Sequence, residues 1–398
     1  MRNLFVTLLI LVMPIFCFAQ NQRIIEGKII NKNTNEPLAY ANVYSDNGNG
    51  TISNIDGLFS LQTDSLDKMV NISFIGYETI TFPINEIPNV IKLQSSSIEL
   101  SEIIIRPVNV KELISQFIKK EKNYNSKKIQ PSTFFYRQTT FTGDVCNEII
   151  ETFLKGTSTV SIGKLELQTG RYAALKGDSM HHYVCQENFF NNVRITPVHV
   201  KKPKKNMVIV PFQKDFDKYY NVSVRVLFNS KGAKLYEMSF MPKDKIKSPI
   251  VEGIVTINPE NLILKKYEGE IRNNYLLAND DEVKLKNNSL EFLILYENKD
   301  GISYVKTVSL NSSFVVELPI KSFHVEVNGL AFNLNDSIIV NKTNSRKLRF
   351  KNSLLKEIAK TGYDPIFWEN NPIIKRTPLE DESILIFEKS NLFGTLRR

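Results

Sequence analysis

The chain has 398 residues, enough at ~150 residues per domain for two or three domains, and 42% hydrophobic with 23% charged residues is ordinary globular composition. Four histidines and three cysteines exclude a multi-zinc protein or a disulfide scaffold by supply alone. A formal net charge of +9 favours acidic neighbours without naming one.

Met1-Arg2-Asn3 supplies a positive start, Leu4 to Phe16 is almost wholly apolar, and Cys17-Phe18-Ala19 precedes Gln20. Small residues one and three positions before the cut suit a signal peptidase, so residues 1–19 are predicted to be a cleaved signal peptide. The apolar run is shorter than the ~20 residues a spanning helix needs. A lipoprotein signal would need a small residue before Cys17, where Phe16 stands. The mature chain is therefore expected to be exported, to periplasm or outer-membrane surface, without a transmembrane segment. Export leaves Cys146 and Cys185, which an oxidising envelope can bridge; two reduced buried thiols are the equal alternative.

Residues 20–106 read as a first, all-β domain. Ile24 to Ile30 opens a strand, and Asn31 to Pro37 is a polar turn cluster. Leu38 to Tyr44 alternates as a second strand, followed by the turn Asp46-Asn47-Gly48-Asn49-Gly50. Thr51-Ile52-Ser53 and Leu58 to Leu61 flank Asn54-Ile55-Asp56-Gly57, a hairpin signal. Val70 to Tyr77 and Glu78 to Phe82 make another pair. Short strands spaced by turn clusters predict a β-sandwich of immunoglobulin-like type.

The string Gly27-Lys28-Ile29-Ile30, then Glu36 to Val43, Asp56-Gly57-Leu58-Phe59 and Ile72 to Tyr77 resembles the carboxypeptidase-regulatory-like domain. That family is a transthyretin-like sandwich of Bacteroidota envelope proteins, often placed ahead of TonB-dependent outer-membrane receptors. Leu100 to Ile105 is similar to the segment that closes it. The resemblance implies a non-catalytic interaction module with a carbohydrate-binding-like fold. Asn54 departs from the acidic residue common at its turn, which argues against a cation there.

Residues 107–130 read as a connector. Val110, Leu113, Ile114, Phe117 and Ile118 recur at helical spacing and predict one amphipathic helix packed on its own domain. Residues 131–398 read as a larger antiparallel β domain with C-terminal helices. Strands are predicted at Phe134–Phe141, Glu148–Leu154, Lys164–Leu167, Tyr220–Phe228, Lys234–Met241, Val251–Ile257 and Leu262–Ile271. Leu290–Tyr296, Ser303–Leu310 and Ser322–Val327 continue the series. Sequential hairpins argue a meander, closed as a sandwich or curled into a half-barrel. Tyr236 to Pro242, Gly253 to Asn258 and Leu262 to Tyr267 are similar to the middle of large Bacteroidota outer-membrane proteins carrying the same first domain. They also resemble half-barrel lipoprotein carriers, in which a curved sheet cups an acyl chain. Near the end, Ser353 caps a short helix bearing Leu354, Leu355 and Ile358, and Gly362 stops it. The single Trp, Trp368, sits beside Phe367 and Tyr363 and is read as a hydrophobic plug rather than a ligand platform.

The search for chemistry is mostly negative. His181, His182, His199 and His324 lie in no metal-ligand spacing, and His181-His182 with Cys185 reads as an exposed loop. Gly177-Asp178-Ser179-Met180 superficially resembles the nucleophile block of a lipase family, but that family places its block near the mature start and its histidine far downstream, and neither holds here. No nucleophile elbow and no phosphate-cradling loop occurs. Catalytic, cofactor and metal residues are therefore expected to be absent. Lys201, Lys202, Lys204 and Lys205 form the sharpest charge run, a candidate patch for anionic lipid headgroups or acidic glycans, with a solvated loop as the plainer reading. Nucleic acid is excluded as a partner by export. The expected function is an exported, non-enzymatic envelope protein that binds or docks a glycan or protein, with a lipid or lipoprotein carrier and a cryptic glycan or ester hydrolase as alternatives.

Overall fold

The computed structural model describes residues 23–96, 108–124, 130–175, 187–200, 207–228, 232–273, 284–319, 321–334, 346–349, 353–370 and 373–394. The chain is mostly β, as its alternation predicts, with an N-terminal sandwich and one large antiparallel sheet.

The sandwich is built from β1 (Arg23–Asn31), β2 (Asn42–Ser45), β3 (Gly50–Ile52), β4 (Leu58–Thr63), β5 (Met69–Ser73), β6 (Ile80–Pro83) and β7 (Val90–Leu93). Its sheets run β4-β1-β7 and β3-β2-β5-β6, antiparallel except for the parallel pair β1–β7. Ile29, Val43, Phe59, Val70, Ile72 and Leu93 fill the space between them. Gly57 shows why one turn needs glycine: its φ is +76°, and a Cβ would lie 2.4 Å from the Ile29 carbonyl. The predicted second strand is shorter than its alternation suggests, since Ala39-Tyr40 is turn and the strand begins only at Asn42. Tyr40 has a φ of +65°, and its N–H donates to the Ser53 carbonyl at 2.9 Å. Left-handed backbone at a bulky residue is held there by surrounding contacts.

The connector helix α1 (Val110–Tyr124) forms where the apolar spacing predicts it. The large sheet follows, with β8 (Gln130–Thr142), β9 (Val145–Ser158), β10 (Ile162–Ala174), β11 (Tyr220–Phe228), β12 (Lys234–Pro242) and β13 (Ile250–Asn258). It continues with β14 (Ile263–Arg272), β15 (Lys284–Lys299), β16 (Ile302–Glu317), β17 (Ser322–Asn333) and β18 (Arg346–Lys347). Its order is β11-β12-β13-β14-β15-β16-β17-β8-β9-β10-β18, so β8 returns to lie beside β17. Strands β15 and β16 are each 16 residues, longer than their apolar cores predict, and Asp300-Gly301 turns between them with φ of +53° and +76°.

One face of this sheet is filled from within the chain. Phe134, Tyr136, Ile150, Leu154, Phe240, Tyr267, Ile294 and Val327 merge with Leu113, Ile114 and Phe117 of α1 into one cluster. Phe212 stands between the helix and the sheet, 5.0 Å from the Phe117 ring and 5.8 Å from Phe240. Phe240, Gly253, Gly269 and Phe292 form one row across four strands. A Cβ on either glycine would meet the opposite backbone at 2.2 Å or less, so two strands approach too closely for any side chain.

The C-terminal segment crosses the other face. It comprises α2 (Leu354–Ala359), capped by Ser353 as predicted, then α3 (Pro365–Asn370) and α4 (Pro378–Lys389). Helix α4 is absent from the sequence reading. It starts with a reciprocal capping box, in which the Thr377 side chain accepts from Glu380 N–H and Glu380 accepts from Thr377 N–H.

Candidate functional site

The outer face of β8, β9 and β10 carries charge where apolar residues would be expected. Arg137, Glu151 and Arg171 are direct cross-strand neighbours. Arg137 Nε donates to Glu151 Oε1 at 2.7 Å, and an Arg171 terminal nitrogen lies 2.6 Å from Glu151 Oε2. All three side chains are buried. Burial alone would raise the Glu151 pKa, but Arg171 and Arg137 outweigh it and hold the carboxyl at about 2. The Arg171 guanidinium is flanked by the rings of Trp368 and Phe393, 4.8 and 4.7 Å from their centroids.

This charged row fastens an extended strap, residues 373–377, against the sheet. Arg137 donates to the Ile374 carbonyl at 3.0 Å and lies 3.7 Å from Glu380 of α4. The strap in turn holds the sandwich. Thr51 donates its hydroxyl to the Ile373 carbonyl at 2.6 Å, Asn54 donates to the Arg376 carbonyl at 3.3 Å, and Lys375 meets Glu26 at 2.7 Å. Ile52 of the sandwich joins Phe135, Phe153, Phe332, Trp368, Ile373 and Ile374 in one apolar cluster. Trp368 is 5% exposed and packs 5.5 Å from Phe153, the plug its surroundings predict.

Where sandwich, sheet and strap meet, a cleft of about 470 Å³ remains open. The sandwich contributes Tyr40, Asn54 and Asp56; the sheet contributes Thr139, Phe141, Ser309, Glu326 and Asn328; the strap contributes Ile374 and Lys375. Ser309 donates to the Tyr40 hydroxyl at 2.9 Å. Asn311 donates to both Glu326 at 2.9 Å and Asn328 at 2.8 Å, and Asn328 donates to Glu326 at 3.2 Å. The floor is thus a preformed row of amides and a carboxylate, beside the apolar Phe141, Leu330 and Ile374. A second recess of about 620 Å³ lies against Arg171, Tyr363, Trp368 and Phe393. Its Arg171 is already committed to Glu151, and Arg376 on its wall to Asp381 at 2.6 Å.

Of the residues singled out from sequence, Asn54 lines the cleft. Lys201, Lys202, Lys204 and Lys205, the pair His181-His182, Ser179, Cys185, the segment Leu100 to Ile105 and residues 1–19 all lie outside the described residues. Cys146 is buried, its thiol pushed up to about 12 by burial and 3.5 Å from the Glu148 carbonyl. His199 Nε2 lies 2.8 Å from the Val208 carbonyl and His324 Nε2 lies 2.6 Å from Ser313 Oγ, both structural contacts. Among the described residues, no three His, Cys, Asp or Glu side chains gather closely enough to hold a metal ion. No described helix is long and apolar enough to cross a membrane. The turn where a cation was doubted is occupied instead by Asn54, whose Oδ1 accepts from the Asp56 and Leu58 N–H groups. None of the cleft residues on the sheet was singled out from sequence. Their signal is polar residues, Thr139, Ser309, Glu326 and Asn328, on strands long enough to be buried on both faces.

Residues 25–105 match the family of the CarboxypepD_reg-like domain, which covers the sandwich and agrees with the motifs read in Gly27 to Tyr77. A search of curated proteins found no match. Among solved structures, a DUF1329 family protein from Desulfovibrio piger is similar at 11% identity, over 58% of this chain and 93% of that chain, with a TM-score of 0.23.

Proposed function

We propose that the chain is an exported cell-envelope binding protein without catalytic activity, and that its ligand occupies the cleft between sandwich, sheet and strap. One observation carries this reading. Three separate parts of the chain are tied together around a single open, hydrogen-bonding floor, and the sandwich is positioned by bonds that leave that floor accessible. Of the charged groups that line the cleft, Arg137, Lys375 and Glu380 each serve a structural partner and Glu326 accepts from Asn311 and Asn328, which supports binding over catalysis; Asp56 and Asp144 complete an acidic lining. The floor offers amide and carboxylate oxygens beside an aromatic ring, which suits a glycan or peptide segment rich in hydrogen-bond donors. Envelope location rests on the predicted signal peptide and on the association of the first domain's family with that compartment. A carrier of acyl chains would need apolar space on the inner face of the sheet. Among the described residues that face is packed by α1 and Phe212.

Calorimetric titration of the purified mature chain against envelope glycan fragments and extended peptides tests the reading. Binding that weakens at least about fivefold, ~1 kcal/mol, in Asn328→Ala supports it. Release of reducing sugar ends or of free acid from those ligands would replace it with hydrolysis. Binding that is unchanged in the variant would move the site away from the cleft.

A further inference from the structure

The large sheet ends differently on its two sides. One side closes with β18, only Arg346 and Lys347, paired to Leu167 and Glu166. The other is β11, nine residues that among the described residues pair with β12 alone, in unbroken register from Tyr220↔Pro242 to Phe228↔Lys234. Lys243 N–H donates to the Tyr219 carbonyl at 2.9 Å, just beyond the first of these pairs. Antiparallel pairs alternate between bonded and non-bonded, so the odd-numbered residues of β11 bond to β12. The N–H and C=O groups of Val222, Val224 and Val226 therefore point away from the sheet. Among the described residues none of them meets a partner.

Natural sheets blunt such edges with proline, lysine, bulges or short strands. The sandwich does so, with a three-residue β3 and a β6 that ends at Pro83. Strand β11 has no proline, no lysine and no bulge. Its one charge, Arg225, meets Glu237 at 2.6 Å on the same sheet.

We propose that β11 is a self-association edge that takes β11 of a second copy, antiparallel about a two-fold axis at Val224. The strand is its own complement in that register. Val224 faces Val224, Val222 faces Val226 and Tyr220 faces Phe228 along one side, and this row continues the apolar core on which Val222 and Val224 already pack. Ser223 faces Arg225 and Asn221 faces Leu227 along the other side, so no like charges stand opposite one another. Moving the axis by half a residue would bring the wrong backbone groups together, and moving it by one would shorten the overlap at both ends, in one direction with Arg225 opposite Arg225. The pairing is isologous and closes at two copies.

Sedimentation equilibrium of the full mature chain from about 1 to 100 µM tests this, a range that resolves dissociation constants in the micromolar region. The wild-type chain is expected to dimerise. Val224→Pro, which deletes the central outward N–H, is expected to weaken the dimer by about tenfold or more with unchanged circular dichroism. In Ser223→Cys/Arg225→Cys the facing pairs are non-bonded, with Cα atoms ~4.5 Å apart, and oxidation is expected to give a reducible covalent dimer. A chain that stays monomeric throughout, a Val224→Pro dimer as tight as wild type, or a cysteine variant that forms no reducible dimer overturns the proposal. So does a monomer whose β11 amides are protected only when another protein co-purifies.

Discussion

The two faces of β8, β9 and β10 belong to the same backbone and are equally buried, yet they are built from opposite materials. Facing α1, the strands present Phe134, Tyr136, Ile150, Leu154 and Tyr172. Facing the strap, they present Arg137, Glu151 and Arg171, framed by Phe135 and Phe153. An apolar face gains free energy against almost any apolar cover, whereas a row of buried charges tolerates only a cover that completes its hydrogen bonds. The difference teaches that the inner face supplies stability and the outer face dictates which segment docks and in what position. The strap satisfies that demand with the Ile374 carbonyl and Glu380.

Breaking the charged row should have the largest effect. Glu151→Ala leaves two guanidinium groups buried without their carboxylate and is expected to cost about 3–5 kcal/mol in urea unfolding. The same carboxyl sets an acid limit. Its folded pKa of about 2 lies below the ordinary 4.5, so its contribution is fully present above pH 4.5 and is lost as pH falls towards 2. Unfolding curves of a Glu151→Gln variant should be flatter than wild type across that window; an unchanged acid limb would contradict the assignment.

The inner face answers pH in the opposite direction. Glu121 of α1 is buried, and burial, only partly offset by Lys120, pushes its carboxyl up to about 7. A raised pKa means the folded state holds the proton more tightly, so this contribution is present below pH 4.5 and is lost as pH rises to 7. Glu121→Gln is therefore expected to stabilise the chain by about 1–2 kcal/mol at pH 8 and to change little at pH 4.5. Thermal unfolding at the two pH values separates the faces: one variant acts in acid, the other at neutrality.

The smallest effect is expected where the sandwich meets the strap. Asn54→Ala removes one bond to the Arg376 carbonyl and two within its own turn, a loss of about 1 kcal/mol. Limited proteolysis should then cut near residues 373–377 while the large sheet stays protected. Equal resistance in variant and wild type would mean that the apolar cluster around Ile52 holds the sandwich without this amide.

Alternation and turn chemistry made most strands legible, because Asn, Gly and Pro punctuate the meander and apolar residues mark one face of each strand. The ends of β15 and β16 were not, since their outer halves carry Lys, Asn and Ser that read as loop until a neighbouring strand pairs with them. Helix α4 did announce itself, through Thr377-Pro378-Leu379-Glu380, but its exposed Leu385 and Ile386 blur the amphipathic pattern. The cleft was hidden for a different reason. Tyr40, Ser309 and Asn328 are ordinary polar residues in three separate stretches, and only the return of β8 beside β17 and the crossing of the strap bring them together.

That crossing also sets an order of events. Thr51 and Asn54 reach partners 322 positions further along the chain. A sandwich emerging first from a ribosome or translocon can complete its own core from local strands, since residues 23–93 contain all seven of them. Its seat on the large sheet stays incomplete until the strap, residues 373–377, has arrived, because the bonds from Thr51 and Asn54 close a loop that brings no reward before then. The sandwich can therefore fold as a tethered unit before it docks, and its docked arrangement reports on the strap rather than on its own core.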